Sequence, residues 1–183
     1  SKYGPLPLGN PNAGIQNIKK ASYLNQDFYD ERLNISKKFN KNFLNSFPQK
    51  QVRAYTDLYD DAVKLMQSKD LESFDLSKES QELRAQYGDN NFGQGCLLAR
   101  RLVENNVRFV EVVYGGWDMH NDVFGNMEEK GAVLDGGLST LLMDLERRGL
   151  LKETMVVVAS EFGRSPEVKA GRIGRDHHPS SFS

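Results

Sequence analysis

A single cysteine, Cys96, excludes an internal disulfide. It leaves the compartment open, because exported proteins also do without bridges. Charge of one sign is lacking too: the formal net charge is −1, so no field draws the chain to nucleic acid or to an anionic membrane. No apolar run approaches the length that spans a bilayer. Internal repeats and low-complexity tracts are missing. What remains is the composition of an ordinary globular protein, which predicts a real hydrophobic core. The chain starts at Ser1 without a Met and stops at "HHPSSFS", directly after its most polar loop, so we expect a piece of a longer protein.

Pro5, Pro7 and Pro11, with several Gly and Asn residues, predict an irregular segment over 1–20. A mainly helical segment follows over 21–90, read as an insertion of the same domain. Phe28, Leu33, Ile35, Phe39 and Phe43 recur at near-helical spacing up to Pro48. A second helix, Gln49 to Gln67, carries a stripe that includes Val52, Tyr55, Leu58, Val63 and Met66. A short helix, Glu79 to Tyr87, should stop at Gly88.

The remainder, 91–183, reads as α/β and as truncated at its C-terminus. "CLLARRLVENN" is a helix, "VRFVEVVY" (Val107 to Tyr114) a β-branched strand, and Asn126 to Arg148 a long helix capped by Gly149. "TMVVVAS" (Thr154 to Ser160) is an apolar run of the kind buried on both faces of a parallel sheet. Strand, helix and strand in that order predict a right-handed βαβ crossover.

Histidine is scarce, and His120, His177 and His178, the only three, all lie near an Asp in Gly-punctuated loops, "YGGWDMHND" and "GRIGRDHHP". Ligands of a parallel α/β sheet bind beyond the carboxyl ends of its strands. Asp118 and His120 follow the first predicted strand, and Glu161 follows the second. The later loop can fold back with Asp176, His177 and His178. Imidazole nitrogens mixed with carboxylate oxygens suit Zn or Mn, and suit Ca or Mg less. If "WDMH" is extended, Asp118 and His120 share one side and Met119 packs on the other. Arg164 is placed to clamp a phosphate or sulfate oxygen through its planar fork.

Each feature has a plainer reading. An isolated D-x-H is a common surface turn, Glu161 alone is a strand-end acid, and "RDHHP" alone is a polar turn. Trp117 suits loop packing, and Arg164 suits a surface salt bridge to Glu161. Cys96 has no partner for nucleophilic work and reads as a small buried residue. "FGQGC" lacks both a preceding strand and a following Gly-Lys-Ser/Thr, so it is a helix-start turn rather than a phosphate loop. The joint placement of histidines and acids at one predicted edge favours a metal site.

The motifs "FGQGCLLARRLVENNVRFVEVVYGGWDMHND", "LMDLERRGLLKETMVVVASEFGRSPEV" and "GRDHHP" closely resemble the domain of unknown function 1501 family. That family looks like a branch of the alkaline phosphatase and sulfatase superfamily. The resemblance implies an alkaline phosphatase-like α/β sandwich with a mostly parallel sheet, preceded here by a helical segment and incomplete. It further implies that Asp118, His120 and His177 ligate a metal, and that Glu161 stands where superfamily members carry an Asp-His pair for a second metal. Here that pair is Glu161-Phe162, with one imidazole fewer. Asp176 and His178 become groups that orient a ligand, and Arg164 the anion-stabilising residue. The nucleophile is expected outside this chain.

The expected function is therefore metal-dependent hydrolysis of phosphate or sulfate esters, on a small molecule or a polysaccharide. The alternative is a non-catalytic member of the same fold that binds a structural metal or a carbohydrate. An interaction domain without a metal is the third possibility. The resemblance also implies export.

Overall fold

Asn25 opens the first helix because its side-chain oxygen accepts from the Phe28 N–H at 2.8 Å, which satisfies one of the unpaired donors of the first turn. In the computed structural model, residues 6–16, 18 and 20–182 are described, with Phe182 described by its backbone alone. Pro5 and the other undescribed residues of the irregular segment expected over 1–20 lie outside that set. The chain forms two compact units: Ala13–Glu72, and Ser1–Asn12 together with Ser73–Ser183.

The first of these is a helical hairpin. Helix α1 (Gln26–Ser46) ends before Pro48, and α2 (Lys50–Met66) begins two residues after it. Leu33 and Val63 are the buried positions of the two helices. Tyr29 donates its hydroxyl to Met66 Sδ at 3.8 Å. Phe28, Phe39 and Phe43 stay exposed, so their helical spacing marks a second face of α1 and not its packed one.

The other unit is built on three helices. Helix α3 (Gln81–Tyr87) is capped by Ser80 and ends at Gly88, whose φ of 93° is one that glycine adopts without steric cost. Asn90 then caps α4 (Asn91–Glu104) by accepting from Gly93 N at 2.9 Å. "FGQG" is therefore the first turn of that helix. Helix α5 (Val123–Arg147) lies along α4, and a β-carbon at Gly137 would come 2.9 Å from the Phe92 ring, so the missing side chain sets how closely the helices approach. Tyr87, Phe92, Cys96, Leu97, Leu98, Leu102, Leu141 and Leu145 fill the core. Leu97 is fully buried, which stabilises the fold by roughly 1.5–3 kcal/mol. Burial also pushes the Cys96 thiol up to about 11, which keeps it protonated and inert.

Two charged side chains, Arg100 and Asp144, are buried within this helical unit. Arg100 is only 1% exposed and meets Glu79 at 2.9 Å, Glu104 at 2.7 Å and Asp144 at 2.9 Å. Its contacts with Glu79 and Asp144 are ion pairs without aligned hydrogen bonds. Tyr87 donates to Asp144 at 3.0 Å, and Arg148 bridges Asp144 and Glu104 at 2.9 and 2.8 Å.

The expected sheet does not form. Residues 107–114 and 154–160 carry no ladder, and among the described residues the only sheet is an antiparallel pair, β1 (Phe162–Arg164) with β2 (His177–Phe182). The mostly parallel alkaline phosphatase-like sandwich and its βαβ crossover are thus corrected. The physical reason is that β-branched residues favour an extended backbone, but a strand exists only where another chain segment takes up its N–H and C=O groups. Residues 110–114 keep a pleat-like alternation, with Val110, Val112 and Tyr114 packed on the helices. Val113 points away at 77% exposure. Val156 likewise packs inward, while Met155 and Val157 face out.

Candidate metal centre

Two loops carry the site, and main-chain hydrogen bonds stitch them together. Asp122 N donates to Arg172 O at 3.1 Å, Val123 N to Ile173 O at 2.8 Å, and Arg175 N to Met119 O at 3.1 Å. Gly174 is buried between them, so close that a β-carbon there would run into the His120 carbonyl. No larger residue lets the loops approach this far without shifting the backbone.

The first loop is pinned from beneath by aromatic contacts. Phe92 stacks on Tyr114 at 4.8 Å between centroids, and Tyr114 meets Trp117 edge-on at 5.4 Å. Lys130, on α5, lies 4.7 Å from the Tyr114 ring and donates to Gly115 O at 3.1 Å. The "WDMH" segment is not fully extended, because Met119 N donates back to Trp117 O at 3.0 Å in a three-residue turn. Met119 is nonetheless buried, and Asp118 and His120 meet on the other side.

The second loop enters through the sheet. Register pairs Arg164 with His177 and Gly163 with His178, with an irregularity between Phe162 and Gly163. Pro179 lies within β2, which is allowed because each strand of a two-stranded sheet is an edge.

Asp118 Oδ1 is the meeting point. His177 Nε2 lies 3.0 Å from it, His120 Nδ1 3.1 Å and Arg164 Nη1 2.5 Å. Hydrogen bonding with His177 and then with Arg164 holds the Asp118 carboxyl below the usual carboxylate range. The ligand atoms of Asp118, His120 and His177 all lie within 4.8 Å of one another, and among the described residues no other such group of His, Cys, Asp and Glu occurs. A tetrahedral zinc with bonds near 2.1 Å separates its ligand atoms by about 3.4 Å. His177 Nε2 and His120 Nδ1 each stand within a few tenths of an ångström of that spacing from Asp118 Oδ1, and the mixed N/O chemistry of the three donors suits zinc or manganese.

The chain matches, over residues 1–183, the family described as "Protein of unknown function (DUF1501)". It belongs to the DUF1501 family. No curated protein and no solved structure matches it.

Set against the ligand roles that the likeness implied, this DUF1501 chain brings Asp118, His120, His177 and Arg164 into one cluster. Glu161 is exposed and lies outside the group. Its expected place depended on a strand over 154–160 ending at a shared sheet edge, and that sheet is missing. Asp176 pairs with Lys169, which with burial opposing it holds the Asp176 carboxyl below the usual range. Its backbone carbonyl accepts from Ser165 N at 2.9 Å. His178 follows His177 along β2, so strand alternation turns it to the opposite face.

The DUF1501 site also uses Phe162, marked in the sequence only as standing where a metal ligand was expected, and Gly174, which was not marked. Phe162 packs against the His177 ring at 4.8 Å, and Arg164 Cζ lies 5.9 Å from the Phe162 ring. An aromatic residue thus stands beside the imidazole where the superfamily likeness led us to look for a metal ligand. Only "Gly" in "GRIGRDHH" hinted at the close approach of Gly174.

Proposed function

We propose that this DUF1501 chain holds one divalent cation, zinc or manganese, on Asp118, His120 and His177, and that the centre serves hydrolysis of phosphate or sulfate esters. The convergence of three ligand atoms within 4.8 Å from two distant loops carries the reading. A bound cation would supply Lewis acidity toward an ester oxygen. Arg164 adds a planar pair of donors at the rim, suited to a tetrahedral oxyanion. Phe162 shields one side of the His177 ring from water and fixes its tilt. No residue of this chain is assigned as the nucleophile. Glu161 is not part of the proposed ligand set.

One observation favours a second reading. Asp118 is already satisfied by Arg164 and the two imidazoles, as in a polar clasp that joins loops without metal or catalysis. Elemental analysis of purified protein, then a screen of generic phosphate and sulfate esters, separates the two. Stoichiometric metal that is lost in Asp118→Ala and His177→Ala supports the centre, and its absence from the unaltered protein supports the clasp.

A further inference from the structure

Arg164 and a cation make competing claims on the same atom. Arg164 Nη1 stands 2.5 Å from Asp118 Oδ1, the oxygen that also faces His120 Nδ1 and His177 Nε2. An ion bound by those three atoms lies about 2 Å from the oxygen, and the guanidinium is positive as well. Both cannot hold Oδ1 at close range, so entry of the ion expels Arg164 from it.

The displaced side chain has little room to leave. Its backbone is fixed on β1 opposite His177, Phe162 flanks its Cζ at 5.9 Å, and Nη1 already reaches toward the Arg175 carbonyl at 3.5 Å. The Arg164 side chain as a whole is three-quarters buried. Displaced from Asp118 Oδ1, it stays at the rim beside a carboxylate whose charge the cation already offsets, with donors to spare beyond the Arg175 carbonyl. An oxyanion with tetrahedral oxygens satisfies it there and is attracted by the neighbouring cation as well. Conversely, an oxyanion that draws Arg164 off Asp118 frees the oxygen the cation needs.

Resting on the metal reading above, we infer that Arg164 locks the cation-free site and couples it: cation and oxyanion each raise the affinity for the other. Linkage requires the two enhancements to be equal. Coupling of this kind typically amounts to about 5–150-fold in affinity.

The test is zinc affinity, read by competition with a fluorescent chelator, in sulfate and in chloride at matched ionic strength. The unaltered chain should bind zinc about tenfold more tightly in sulfate. Arg164→Met should bind more tightly than the unaltered chain in chloride, because the lock is gone, and should lose most of the sulfate effect. Arg164→Gln, which keeps a polar side chain, should behave in the same way. Zinc binding that is indifferent to sulfate in the unaltered chain overturns the coupling and leaves the metal site standing. So does a sulfate effect that survives undiminished in folded Arg164→Met or Arg164→Gln. If neither the unaltered chain nor the variants bind zinc in either medium, the metal reading itself has failed and the coupling with it.

Discussion

Asp118 and His177 stand 59 positions apart in the chain and meet side chain to side chain at 3.0 Å. Their meeting depends on two supports: the backbone stitching of the two loops, and the β1–β2 register that sets His177 opposite Arg164. A carboxylate on one loop and an imidazole on another gain little from an exposed contact alone, so the scaffold beneath them holds the geometry.

Gly174 is the point where that scaffold is most exacting. Gly174→Ala places a methyl group against the His120 carbonyl, and the loops must part. Overpacking of this kind costs about 1–3 kcal/mol. Urea denaturation should show that loss, with zinc affinity falling alongside it; unchanged stability would mean the loops do not lie this close.

Arg100 carries the largest single electrostatic stake in the helical unit. Arg100→Met takes one partner from Glu79 and one from Asp144, which keep Arg101 and Arg148, so the loss approaches but does not exceed the roughly 3–5 kcal/mol of a buried pair broken from one side. Tyr87→Phe removes only the hydroxyl that donates to Asp144, at about 1 kcal/mol. Denaturation midpoints of the two variants should therefore rank in that order.

Acid should unfold the helical unit through the same network. Burial pushes the Asp144 and Glu79 carboxyls up, but hydrogen bonds and charge from Arg148, Tyr87 and Arg100 at Asp144, and from Arg101 and Arg100 at Glu79, outweigh it and hold both low. The folded state therefore binds fewer protons than the unfolded chain, whose groups titrate near their ordinary 3.8 and 4.5. Their stabilisation is fully present above those values and is lost as pH falls through the lower, folded ones. The melting temperature should be flat with respect to these groups above about pH 5 and should fall below about pH 4. Asp144→Asn should flatten that fall, and an unchanged acid slope in the variant would place the sensitivity elsewhere.

Much of the helical architecture was legible because its signals are local. Pro48 separates α1 from α2, Gly88 ends α3, and Gly149, with φ of 74°, follows α5. The sheet was not legible, because Val107 to Tyr114 and Thr154 to Ser160 encode an extended shape but not the neighbour that would make it a strand. The same distinction governs the site. Asp118, His120 and His177 stood out by residue type and scarcity, whereas Glu161 was joined to them through the sheet that does not form. Phe162, Gly174 and Lys130 act through contacts that span the fold, and no spacing in the chain announces them.

Zinc titration of the unaltered chain beside Asp118→Ala and His177→Ala, with circular dichroism to establish that all three are folded, tests the centre most directly. The account predicts one ion bound per chain and a loss of at least about tenfold in affinity in each variant. Binding that is equal in all three proteins, or absent from the unaltered one, would contradict it.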